Sequence, residues 1–394
     1  MSRLDELIAE LCPDGVPFKK IKEVYTRIKG TPITASKMKE IEDPDGEICI
    51  FAGGKTVINA RELNIPNANI TRVPAVLVQS RGVIDAVYYD KPFTFKNEMW
   101  AYTNESQISV KYLYYVLKNN VEYFRAAASG MGSLPQISLP VTEDLIVPIP
   151  PLPVQQEIVR ILDHFTELTA ELTAELTARK KQYEYYRHLL MVPEYDWKAY
   201  RIADVCELQL GKMLDASKNK GKPMPYLANA NVRWGTFDLS GLKTMRFEDD
   251  ELEKYALKYG DVMICEGGEP GRCAIWREDN SSIKFQKALH RARANSRLLD
   301  YRFLFYWLED AVNSNAIQQL FTGTTIKHLP SSVLAEIRIW LPDKEKQGKI
   351  ADYLDSFADI CNNLSSGLPA EIAARQKQYE YYRDKLLNFK EKGA

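Results

Sequence analysis

GKMLDASKNKGKP, residues 211–223, sets Lys212, Lys218, Lys220 and Lys222 along a glycine-containing segment. KFQKALHRARANSR, residues 284–297, adds Lys287, His290, Arg291 and Arg293, and GGEPGR at 267–272 adds Arg272. In the first half of the chain, GGK at 53–55, QSRG at 79–82 and FKN at 95–97 place Lys55, Arg81, Lys96 and Asn97 near the ends of short apolar runs. Glycine beside lysine or arginine lets backbone approach a phosphate closely. Arg, Lys and Asn also carry the groups that contact phosphate oxygens or the edges of guanine and adenine. The chemistry on offer is nucleic-acid binding, and the plain alternative for any one of these residues is an ordinary surface loop.

Catalytic spacings are missing. FAGGK at 51–55 and LQLGK at 208–212 lack both the spacing and the final hydroxyl residue of a phosphate loop. The sequence has no HExxH, no GxSxG, no cysteine–histidine cluster with ligand spacing, and no Asp/Asn-Pro-Pro-Tyr/Phe loop of an adenine methylase. Glu248–Glu251 reads as a solvated acidic turn, and Cys265 and Cys273 as small buried residues. The expectation is a chain with no catalytic residue and no metal site.

The elements that would position these groups come from a duplication. KQYEYYR at Lys181–Arg187 returns unchanged at Lys377–Arg383. Gln155, Ile158, Leu162, Asp163 and Phe165 find Gln347, Ile350, Leu354, Asp355 and Phe357 at a constant offset, and YLYYVL (112–117) answers FLFYWL (303–308). Each copy is a globular segment followed by a helical one. AVLV (75–78) and DVMI (261–264) read as strands, and KYLYYVLKNNVEYF (111–124) as an amphipathic helix, so each globular segment is α+β.

Residues 154–191 contain neither Gly nor Pro, and Ile158, Ile161, Phe165, Leu168 and Leu172 form a heptad seam. ELTA occurs three times in succession from Glu167, keeping Leu168, Leu172 and Leu176 on nearly one face, with the step from Leu172 to Leu176 a stutter. This reads as one continuous helix whose partner is 344–390, kinked or broken at SSGLP (365–369). Four segments follow: 1–150, a helical spacer 151–195, 196–342, and a second spacer 343–394.

Bulk properties set limits. Net charge is −1, and the two globular segments are only mildly basic: 15–150 carries 16 Lys and Arg against 14 Asp and Glu, and 196–342 carries 21 against 19. The absence of a long apolar run argues against a membrane span, and MSRLDELIAELCPDG reads as an acidic amphipathic helix and not a signal peptide. Six scattered cysteines and four histidines make disulfides or zinc unexpected and fit a reducing cytoplasm.

Several segments resemble a known family. GKMLD with PYLANANVRWG (within 211–235), GDVMICEGGEPGRCAIW (260–276) and TGTTIKHLPSSVLAEIRIWLP (322–342) look like recurring parts of the target-recognition domains of type I restriction–modification specificity subunits. PLPVQQEIVRILD (151–163) is similar to the start of that family's helical region, and the resemblance covers essentially the whole chain. It implies two tandem target-recognition domains, each followed by a long helix, the helices pairing as an antiparallel coiled coil. Each domain would read one half of a split site in double-stranded DNA, and unlike polar residues in the two domains predict unlike half-sites. The helices, with Leu168, Leu172, Leu176, Tyr183, Tyr186, Tyr379 and Tyr382, would separate the domains and dock two methyltransferase subunits, with restriction and motor subunits joining. S-adenosylmethionine, ATP and Mg are then expected on the partners and not on this chain. A coiled-coil protein–protein scaffold without DNA binding is the competing reading, and salt-sensitive DNA retention separates the two.

Overall fold

Apolar runs bounded by turn residues become strands in the same order twice. The computed structural model describes residues 3–129, 134–215, 217, 219–279, 282–363 and 366–393. The chain divides into two compact units, Met1–Thr173 with Ile372–Ala394, and Ala174–Glu371. In the first, the fully buried strand Ala75–Gln79 lies between Trp100–Thr103 and Asp85–Tyr89, with Thr26–Lys29 beyond Trp100–Thr103, all neighbours antiparallel. In the second, Val262–Cys265 lies between Leu289–Ala294 and Cys273–Ile275, with Cys206–Leu210 at the far edge.

A second sheet repeats as well. Ile48–Phe51 pairs antiparallel with Val57–Ala60 and parallel with Phe93–Phe95, as Lys222–Leu227 does with Lys243–Phe247 and Lys284–Phe285. Pro223 and Pro225 are tolerated because only Tyr226 of that strand has a neighbour on both sides. The duplication thus extends to strands whose sequences hardly match.

Chain crossing between the sheets explains the glycine of LQLGK. A Cβ on Gly211 would sit 2.1 Å from the Gln286 carbonyl oxygen, and one on Gly30 would sit 2.1 Å from that of Phe95. Both glycines permit backbone contact and neither belongs to a phosphate loop.

Helices cover the four-stranded sheets. Gln107–Asn119 is capped by Ser106, whose hydroxyl accepts from Ser109 N at 3.3 Å, and Tyr301–Asn313 by Asp300, which accepts from Arg302 N at 2.9 Å. Their apolar faces, with Tyr112, Leu113 and Val116 in one and Phe303, Leu304 and Leu308 in the other, enter the principal core of each unit.

The first spacer is one helix, Leu152–Met191, of 40 residues, about 60 Å at ~1.5 Å per residue. It enters each unit by a different end, since the boundary falls after Thr173, inside the ELTA stretch. Threonines survive mid-helix by bonding back one turn: Thr166 to Leu162 O at 2.9 Å, Thr169 to Phe165 O at 2.8 Å and Thr173 to Thr169 O at 2.7 Å. The second spacer is broken: Lys344–Asn362 ends, and Leu368–Leu386 begins anew. Pro369 has no N–H for a continuing helix, and Gly367 N instead bonds Asn363 O at 3.0 Å. Within the second unit Tyr183 meets Phe357 and Tyr186 meets Tyr353, so numbers rise in one helix as they fall in the other and the pairing is antiparallel.

Both domain-to-helix junctions are pinned alike: Gln155 Nε2 donates to Pro150 O at 2.8 Å, and Gln347 Nε2 to Pro342 O at 2.9 Å. Leu387 fills the first core as Met191 fills the second, and Val16 N bonds Lys390 O at 2.9 Å. The C-terminal segment therefore gives the first unit what the second receives from the end of the long helix. Among the described residues no helix is long and apolar enough to cross a membrane, and the six cysteines are free and buried.

Candidate nucleic-acid interface

In the first unit the sequence-predicted cations come together. The turns that follow Ile48–Phe51, Ala75–Gln79 and Phe93–Phe95 are laced by backbone: Gly54 N donates to Arg81 O at 3.0 Å, and Lys96 N to Phe51 O at 3.0 Å. Gln79 Nε2 adds a bond to Gly54 O at 3.2 Å, and the Ser80 hydroxyl donates to Glu98 O. Gly54 holds a left-handed φ of 75°, which lets its N–H turn toward Arg81. Arg81 and Lys96 line a cavity of about 400 Å³ with Met38, Thr56, Glu98 and Leu134. Lys55, Arg81 and Asn97 are exposed. Lys55 and Arg81 have no ion pair among the described residues, whereas Lys96 is paired with Glu98 at 3.0 Å. Lys55 and Arg81, on turns tied together by backbone bonds, can neutralise phosphate.

The second unit divides the predicted set. Lys220, Lys222 and Lys287 are exposed, Lys222 in an exposed pair with Asp249 at 2.9 Å. Lys218 lies outside the described residues. Lys212, Arg272 and His290 are engaged inside. Lys212 Nζ donates to Arg246 O at 3.0 Å and pairs with Glu251. Burial pushes the Glu251 carboxyl up, and the bonds from Lys212 and Glu248 N outweigh it and hold the group low. Arg272 bonds Glu269 at 2.6 Å and Asn229 O at 3.0 Å, stapling two turns. His290 is buried with Nε2 2.8 Å from Leu329 O, and burial holds its imidazole below the usual histidine range. Arg291 and Arg293 likewise face Glu207 and Asp261.

Sequence reasoning passed over Lys327 and His328, both exposed. Their loop is held by a pair of bonds between Thr322 and His328, each 2.8 Å. The available signal was the alignment of TGTTIKH with the segment that begins at Ser129 in the first copy.

Two equivalent scaffolds that present unlike loops match one family model twice: the type I restriction modification DNA specificity domain fits residues 13–179 and 194–374. The chain belongs to that family. It is 31% identical over 313 residues to a putative type I restriction enzyme specificity subunit of Haemophilus influenzae, spanning 75% of this chain and 77% of that one. It is 28% identical over 302 residues to a type I restriction enzyme specificity subunit of Escherichia coli, spanning 73% and 72%. The crystal structure of the S subunit of a type I restriction–modification system from M. genitalium superimposes with a TM-score of 0.57 at 17% identity, covering 95% of this chain and 96% of that one. The protein is thus a type I specificity subunit with two recognition domains.

The helices of this specificity subunit sort the predicted docking residues. Leu168, Leu172 and Leu176 are half-buried, and Glu167, Glu171 and Glu175 are exposed. Tyr183 is buried and donates to Glu309 Oε2 at 2.7 Å, while Arg187 pairs with Glu309 at 3.0 Å. Tyr382 stacks on Phe165 at 5.5 Å, Tyr186 meets Tyr353 edge to face at 6.2 Å, and burial pushes the Tyr379 hydroxyl up. Tyr183 is thus engaged inside, while Tyr186 and Tyr382 make ring contacts and remain 38% and 40% exposed. The middle tyrosine of each heptapeptide is the most exposed of its three: Tyr185 is 64% and Tyr381 is 62% exposed.

Proposed function

We propose that this specificity subunit is the DNA-reading, non-catalytic chain of a type I restriction–modification complex. Each recognition domain reads one half of a split duplex site. The paired helices dock two methyltransferase subunits, and restriction and motor subunits join that assembly. S-adenosylmethionine, ATP and Mg then belong to the partners, and the complex works in the cytoplasm.

One observation carries the reading: identical strand orders present unlike turns. Gly53–Lys55 in one domain stands where Asn229–Asn231 stands in the other, and the short turn after Gln79 is replaced by the longer Glu266–Arg272. A common scaffold with different side chains suits two different half-sites. Exposed Lys55, Arg81, Lys220 and Lys287 supply phosphate contacts.

Co-expression with the neighbouring gene products, followed by mapping of methylated adenines, tests this. The expected result is two unlike half-sites at fixed spacing, with DNA binding that weakens steeply as salt rises. Methylation or cleavage by the purified chain alone would overturn the non-catalytic role. Absence of salt-sensitive DNA retention by the complex would favour a protein scaffold.

A further inference from the structure

In each unit one pair of backbone bonds closes a short segment. Ser129 and Gln136 exchange backbone bonds of 3.0 and 3.1 Å, as Thr322 and His328 do in the second unit. Gln136 bridges Arg81, and His328 bridges Gly267, so each loop leans on the turn that leaves the buried central strand. Two residues before the closing residue an apolar side chain is exposed in each unit: Leu134 is 60% exposed and Ile326 is 59% exposed.

The surroundings of these two side chains differ. Leu134 shares a cavity rim with Arg81 and Lys96, while Ile326 is followed by exposed Lys327 and His328. Arg81, Lys55 and Lys327 have no ion pair among the described residues, so each apolar tip sits beside free positive charge. Side chains that read bases must change when the half-site changes. A pair of isomeric aliphatic side chains with the same placement and exposure, among neighbours that change, does a job common to both half-sites. Apolar wedges that enter a base stack do such a job, since they unstack a step without reading its edges, while nearby cations hold the phosphates.

We propose that Leu134 and Ile326 are wedges that enter the duplex, one at each half-site, and unstack a base step beside the reading contacts. The proposal rests on the DNA-reading role above and adds a mechanical one. A loosened step lowers the cost of extruding a neighbouring base, which a methylating partner requires.

The test uses the full chain purified with its methyltransferase partners and duplexes carrying 2-aminopurine at successive positions of each half-site. The unsubstituted complex should brighten the probe at one step in each half-site. Leu134→Ala should abolish the signal in one half-site only and Ile326→Ala in the other, each weakening binding roughly tenfold with methylated sequences unchanged. Leu134→Met should restore the first signal. Persistent brightening in both alanine variants, or none in the unsubstituted complex, overturns the wedge. So does a changed base preference, which would mark a contact to base edges, and so does loss of subunit association, which would mark a protein contact. If the unsubstituted complex shows no salt-sensitive DNA retention, the DNA-reading role fails first and the wedge falls with it.

Discussion

The Tyr306 hydroxyl donates to the Asp355 carboxylate at 2.5 Å, and Tyr115 donates to Asp163 at the same 2.5 Å in the other unit. A cation completes each cluster: Arg302 stands 2.9 Å from Asp355, and Lys111 stands 2.7 Å from Asp163. One polar clamp therefore fixes each spacer helix to its own domain. Hydrogen bonds to charged groups contribute about 1.5–3 kcal/mol, so Tyr306→Phe and Tyr115→Phe should each cost about that much in chemical denaturation. Unchanged midpoints would remove the clamp from the account of stability.

Alkaline pH should weaken the fold through these two rings and three other tyrosines. Burial pushes the Tyr306, Tyr115 and Tyr183 hydroxyls above the ordinary tyrosine range, and those of Tyr114 and Tyr89 up to about 12. The unfolded chain releases these protons near pH ~10, before the folded chain does. Stability from them is therefore complete below about pH 10 and falls as pH rises through the folded values. Unfolding free energy measured from pH 7 to 11 should be level and then decline, with a shallower decline in Tyr306→Phe. A level curve throughout contradicts this.

Identical heptapeptides should respond differently to the same change. Arg187 is buried against Glu309 and Asp310, whereas Arg383 pairs with exposed Asp384 at 2.9 Å. Breaking a buried pair costs about 3–5 kcal/mol and an exposed pair about 0–1. Thermal unfolding of Arg187→Ala and Arg383→Ala should separate accordingly, and equal losses would refute the distinction.

Surface and interior lysines should separate by assay. Lys55→Ala, Lys220→Ala and Lys287→Ala, in the complex, should each flatten the salt slope of DNA binding by about one unit at unchanged stability. Lys212→Ala should leave Glu251 unpaired and lower stability. A reduced salt slope in Lys212→Ala with native stability would return that residue to the interface.

The ELTA repeats should set the distance between half-sites. The stretch spans the passage from one unit to the other. Four residues add about 6 Å and a rotation of about 40° to a helix, against about 3.4 Å and ~35° for one base pair. Deleting Glu171–Ala174 should shorten the recognised spacer by about one base pair and leave both half-sites alone. Methylation mapping that returns the original spacing refutes it.

The duplication, the long helix and the α+β character of each half were legible in residue order. Heptad spacing at Ile158–Leu172 and short apolar runs such as AVLV are properties of neighbours in the chain, and local geometry acts on them directly. SSGLP announced an interruption, because Pro369 can be read as a missing donor without knowing what surrounds it.

Which cations remain available was decided elsewhere. Lys212 and Lys220 look alike in GKMLDASKNKGKP, yet Glu251 and the Arg246 carbonyl reach one and not the other. Arg272 is captured by Asn229, and His290 by the Leu329 carbonyl. KQYEYYR gives the same side chains twice, but Glu309 and Asp310 flank one copy where Lys118 and Asn119 occupy the matching places in the other. Charge and burial depend on residues brought together by sheet pairing from distant parts of the chain. Residue order therefore determined the repeated scaffold, and tertiary contact alone determined which of its side chains stay free to act.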